Sequence, residues 1–96
     1  MIVRSVRHLG LRLLYEDDSP RLLKQVLAER VRGILAALAM AETMDGFIRE
    51  AAPGWRVHRL SGERRNEWSV SVSGNWRITF EESDGAIERL NLEDYH

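Results

Sequence analysis

The stretch Glu67-Trp68-Ser69-Val70-Ser71-Val72-Ser73-Gly74-Asn75-Trp76-Arg77-Ile78-Thr79-Phe80-Glu81 decides the fold. Trp68, Val70 and Val72 alternate with serines, and after Gly74-Asn75 the alternation resumes with Trp76, Ile78 and Phe80 opposite Arg77, Thr79 and Glu81. A period of two puts the apolar set on one face of a pleated ribbon, and a Gly-Asn pair supplies a tight turn. The spacing predicts two strands joined as a hairpin. A second turn at Ser83-Asp84-Gly85 leads into a further strand from about Ala86 to Leu92, and Trp55 to Leu60 supplies another before the pair.

Toward the N-terminus the period changes. Ile2-Val3-Arg4-Ser5-Val6 is short and β-branched and reads as a strand. His8 to Tyr15 carries leucines too densely for alternation and reads as a short helix. Ser19-Pro20 has the form of a helix start, Ser19 as cap and Pro20 where its missing N–H costs nothing. From Pro20 to about Met40, Leu23, Leu27, Val31, Ile34 and Leu38 recur at helical spacing, with Leu22, Val26 and Leu35 widening the stripe, so one amphipathic helix of roughly 30 Å is expected. Thr43 to Gly54 reads as an irregular connection with one helical turn around Phe47 and Ile48. The expected class is α+β: an N-terminal strand and two helices packed on a mainly antiparallel sheet of four to five strands, in one domain spanning residues 1–96.

Composition narrows the function. A chain of 96 residues, 44% of them apolar, can form one modest core. It has no cysteine, so neither disulfides nor thiolate metal ligands are available. No run approaches the roughly 18 apolar residues of a membrane span, and the opening Met1-Ile2-Val3-Arg4 lacks the apolar core of a signal peptide, so a cytoplasmic protein without membrane contact is expected. The net charge of −1 conceals a division. Between Pro53 and Phe80 lie Arg56, Arg59, Arg64, Arg65 and Arg77 against Glu63 and Glu67, whereas from Glu81 onward six acids face Arg89 alone. A basic sheet region beside an acidic tail suits an anionic ligand.

Arg56 and His58, two apart on an expected strand, share a face, and Arg77 projects from the side opposite Trp76, Ile78 and Phe80. Brought together they form a concave basic patch, and the planar fork of arginine suits phosphate. The terminal Glu93-Asp94-Tyr95-His96 groups several proton-exchanging side chains: His96, with carboxylates around it, is a candidate proton donor, and Tyr95 offers a hydroxyl and a ring on which a base can stack. His58 is the second candidate for proton transfer. His8 reads as structural or exposed, and with three histidines far apart no zinc site is expected. Trp55, Trp68 and Trp76 read as core.

These blocks, taken in order, carry a resemblance. Gly54-Trp55-Arg56-Val57-His58-Arg59-Leu60-Ser61-Gly62, Glu67-Trp68-Ser69-Val70, Gly74-Asn75-Trp76-Arg77-Ile78-Thr79-Phe80 and the terminal Glu93-Asp94-Tyr95-His96 closely resemble the HigB toxins of the RelE/ParE superfamily, and the Val6-Arg7-His8-Leu9-Gly10-Leu11 opening fits as well. The resemblance implies a RelE-like fold and the toxin of a type II toxin–antitoxin pair. It implies an endoribonuclease that cleaves messenger RNA in the decoding site of a translating ribosome by metal-independent attack of the 2′-hydroxyl, with no cofactor. It also implies a helix-turn-helix antitoxin of the HigA kind, with DNA reached only through that partner. By position it assigns catalysis to His58, Arg77, Asp94, Tyr95 and His96: His96 or Tyr95 in proton transfer, His58 in the complementary or orienting role, Arg77 on the phosphorane and Asp94 aligning its neighbours. RNA binding falls to Arg56, Arg59, Ser61, Arg64 and Arg65. Ser61 stands where some members carry a catalytic lysine. Two other readings stay open, a gyrase inhibitor on the same fold and a weakly active homologue that acts mainly by binding its antitoxin.

Overall fold

The computed structural model describes residues 1–94. Its strands are β1 (Ile2–Val3), β2 (His58–Arg59), β3 (Glu67–Ser73), β4 (Trp76–Ser83) and β5 (Ala86–Asp94), and its helices are α1 (Leu9–Asp17), α2 (Gln25–Met40) and α3 (Met44–Glu50). The five strands form one sheet in the order β1-β5-β4-β3-β2. Every neighbouring pair is antiparallel except β1 with β5, which is parallel.

Both expected turns form. Gly74 takes a φ of 56° at the first central position of the β3–β4 connection, and Asp84 and Gly85 take 52° and 81° between β4 and β5. Positive φ is what two-residue hairpin loops require to match the twist of their strands. On β5 the pairs Glu81↔Glu88 and Thr79↔Asn91 enclose one extra residue, a bulge at which Arg89 adopts a φ of 55°. Its backbone N–H donates to the Ser5 hydroxyl at 2.8 Å, which ties the N-terminal segment to the bulge. That segment runs beyond β1 alongside β5, with Val6 bridged to Leu90.

The helices cover one face of the sheet. Leu11 and Leu14 of α1, Val31, Ile34 and Leu38 of α2, and Phe47 of α3 pack on Val70, Ile78, Phe80, Ile87 and Leu90. Phe47 lies at 6.0 Å from Trp55 and meets Phe80 edge-on at 6.3 Å. The three tryptophans pack partly buried against this core.

Three expectations need correction. The second helix starts at Gln25, not Pro20, because Lys24 is extended with a ψ of 145° and separates the Pro20–Leu23 turn from the helix. Leu22 and Val26, counted into the apolar stripe, are accordingly exposed. The connection after Thr43 holds a helix of two turns, whose free N–H at Gly46 donates to the Thr43 hydroxyl. Finally, residues 53–55 form one turn of 3₁₀ helix and Arg56 is left-handed, so only His58 and Arg59 remain of the strand expected over 55–60.

Candidate active site

The sheet face turned away from the helices is polar by the same alternation that made the core. Register aligns His58 with Ser69, Ser69 with Thr79, and Thr79 with Asn91 across four strands. The adjacent row is Ser71, Arg77 and Glu93. His58 and Arg77, nineteen residues apart in the chain, therefore occupy neighbouring rows of one face. A cleft of about 410 Å³ opens over them, walled by Arg56, His58, Arg59, Ser61, Asn75 and Arg77 and floored by Ser69 and Ser71. No carboxylate lines it among the described residues. Three arginines and a histidine thus line a cavity floored by serines, a set suited to an oxyanion.

Local structure aims each group. Arg56 ends the 3₁₀ turn with φ 49° and ψ 52°, and its carbonyl lies 2.6 Å from His58 Nδ1. A carbonyl can only accept, so Nδ1 donates. The Arg59 guanidinium lies 4.9 Å over the Trp68 ring, a cation–π contact, and Nη1 donates to the Arg65 carbonyl at 3.4 Å. Arg77 is largely buried, with Nη2 3.7 Å from Glu93 Oε1.

Beside the cleft, Arg64 is held by two carboxylates. Nε and Nη2 donate to Glu67 at 2.8 Å each, and Nη1 and Nη2 donate to Glu93 at 3.0 and 2.5 Å. The Thr79 hydroxyl, itself fully buried, donates to Glu93 as well. Hydrogen bonds from Arg64 hold the Glu93 carboxyl down to about 2, with the Thr79 bond assisting and partial burial opposing. The same guanidinium lowers Glu67, and the two carboxylates raise Arg64.

The structure thus gathers Arg56, His58, Arg59, Ser61 and Arg77 around one cavity and leaves out Arg64 and Arg65, the first committed to Glu67 and Glu93 and the second donating to the Gly62 carbonyl at 3.5 Å. Asp94 closes β5 in register with Trp76, a residue of the cleft wall. Tyr95 and His96 lie outside the described residues. Other contributors escaped sequence reasoning. Asn75 was legible only as a turn residue and Ser69 and Ser71 only as the polar half of an alternation, while Glu93 was legible as an acid of the terminal block beside His96 but not as the partner of Arg64. The acidic run from Glu81 is no trailing tail, since all its members up to Asp94 belong to the β4–β5 hairpin. His8 caps α1, its Nδ1 accepting from the Leu11 N–H at 3.2 Å. Among the described residues no group of three or more His, Asp or Glu side chains is placed to hold a metal ion, and no helix is long and apolar enough to cross a membrane.

Comparison with known proteins agrees with this geometry. Residues 4–96 match the family model described as the RelE-like toxin of type II toxin–antitoxin system HigB. The chain is 34% identical over 95 residues, 99% of its own length and 100% of the relative's, to the protein named endoribonuclease HigB of Proteus vulgaris. A toxin of such a system has an antitoxin as its counterpart. With a family match over nearly every residue and a mixed five-stranded sheet under three helices, the chain belongs to the HigB-like family of RelE-like toxins of type II toxin–antitoxin systems.

Proposed function

We propose that this chain is an endoribonuclease that cuts messenger RNA on the translating ribosome and so arrests translation. The observation that carries the reading is the convergence of His58 and Arg77 on one cationic cleft in a chain collinear with an endoribonuclease. The cleft offers guanidinium and imidazole groups without a lining carboxylate among the described residues, a set suited to internal transesterification. The 2′-oxygen loses its proton to a base and bonds to phosphorus, the bond from phosphorus to the 5′-oxygen breaks, and an acid protonates the departing oxygen. The products are a 2′,3′-cyclic phosphate and a free 5′-hydroxyl.

Arg77, with Arg56 and Arg59 nearby, stabilises the crowded phosphorane, and the floor hydroxyls of Ser69 and Ser71 orient its oxygens. Proton transfer is divided between His58 and the terminal Tyr95 or His96, with Asp94 aligning its neighbours. The antitoxin is a helix-turn-helix protein of the HigA kind through which the pair reaches DNA, and the toxin acts in the cytoplasm without a cofactor. Primer extension on messenger RNA from expressing cells tests this. Cuts inside reading frames are expected, absent when translation is blocked and sharply reduced in His58→Ala and His96→Ala. Cleavage unchanged in both variants overturns the site, and gyrase-linked DNA damage without RNA cuts overturns the activity.

A further inference from the structure

A left-handed backbone at a residue other than glycine or asparagine is strained and persists only where the surroundings impose it. Arg56 carries that conformation, although Gly54, two residues earlier, could adopt it without penalty and does not. The conformation has a specific effect. It presents the Arg56 carbonyl to His58 Nδ1 at 2.6 Å, and Arg56 is itself one of the residues that line the cleft.

The bond decides which nitrogen of His58 is free for proton transfer. Since Nδ1 must carry hydrogen to meet a carbonyl, the neutral ring has its lone pair on Nε2. A hydrogen bond at one imidazole nitrogen fixing the chemistry at the other is a general device of catalytic and metal-bound histidines. We propose that Arg56 is a positioning residue whose main-chain carbonyl locks His58 in the Nδ1–H tautomer, so that Nε2 is the base for the 2′-hydroxyl. The substrate in this assignment rests on the nuclease reading above, whereas the tautomer does not. In the balanced step Nε2 takes the 2′-proton as the 2′-oxygen bonds to phosphorus. The bond to the 5′-oxygen then breaks, with its proton supplied by the terminal tyrosine or histidine. In this assignment His58 is the base and the chain end supplies the acid.

The test uses the full chain with ¹⁵N-labelled histidine and long-range ¹⁵N–¹H correlation at a pH where the ring is neutral. His58 is expected to show a protonated Nδ1 and a bare Nε2. Arg56→Gly and Arg56→Val remove the same guanidinium but differ in backbone preference, since glycine accepts positive φ and a β-branched residue resists it. Both variants are expected to raise KM alike. Arg56→Val is expected in addition to lose the tautomer signature and to lower kcat about 10-fold relative to Arg56→Gly. Arg56→Asn, which tolerates the left-handed region, should restore the signature. A bare Nδ1 in the unmodified chain, or equal kcat in the glycine and valine variants, overturns the assignment. A chain with the expected tautomer that cleaves no RNA in translating extracts overturns the nuclease reading instead, and with it the role of Nε2 as base.

Discussion

Arg64 and Glu93 meet through two hydrogen bonds of 3.0 and 2.5 Å across 29 residues of sequence, and the pair joins the loop after β2 to the far end of the chain's final strand. Because the same guanidinium grips Glu67, one side chain clamps the start of β3 to the end of β5 across the intervening β4. The clamp stands beside Arg77, whose Nη2 lies within 3.7 Å of the shared carboxylate.

Arg64→Ala should therefore act on stability before RNA binding. Leaving two partly buried carboxylates without their donor costs about 1–3 kcal/mol, toward the lower end because Arg64 is partly exposed. For a domain of this size that lowers Tm by roughly 5–15 °C, read by thermal denaturation. Arg59→Ala should show the opposite pattern: little change in Tm, and a salt dependence of RNA affinity shallower by about 0.7 for each phosphate that the guanidinium neutralises.

Acid should expose the Glu93 contribution. A carboxyl held down to about 2 in the folded chain, against 4.5 ordinarily, stabilises the fold fully above pH 4.5, and that stability is lost as pH falls toward 2. Melts across this window should show a steep acid limb, and Glu93→Gln should flatten it while lowering stability at pH 7 by about 1–2 kcal/mol.

His8 should give a second limb at milder pH. Burial lowers its pKa below 6.5, and only the neutral ring can accept from the Leu11 N–H. The folded state thus prefers the neutral form, so the cap contributes fully above pH 6.5 and is lost progressively below it. His8→Asn keeps an acceptor at the cap and should remove this dependence, whereas His8→Ala should cost about 1 kcal/mol at pH 7.5. Chemical denaturation at pH 7.5 and 5.5 distinguishes the two.

Phe47→Ala should cost about 3–5 kcal/mol, since the ring is fully buried between Trp55 and Phe80 and its loss leaves a cavity. A urea midpoint shifted by only a fraction of this would show that α3 is not part of the core.

Ser61→Lys should raise RNA affinity and cleavage by about 10-fold, the worth of one charge-assisted contact to phosphate at the cleft wall. Rates in translating extracts at two salt concentrations check this, since the gain should shrink at the higher salt.

The two hairpins were legible because alternation and turn chemistry are local. Val70 with Ile78, and Gly85 with its positive φ, needed no knowledge of the rest of the chain. The start of α2 was not, because Ser19-Pro20 carries every mark of a helix cap and only the extended Lys24 breaks the run. At the site, His58 and Arg77 were readable as same-face strand residues, but their shared cavity depends on strand order and register. Arg64 looked like any other arginine of a basic stretch. Its commitment to Glu67 and Glu93 is a long-range fact, invisible until β5 is laid beside β4.

The brevity of β1 and β2, two residues each at opposite margins of the sheet, has a bearing on life at high concentration. A foreign strand laid against β1 or β2 finds hardly one ladder repeat of N–H and C=O groups on either, so each of the two is a poor template for amyloid-like stacking.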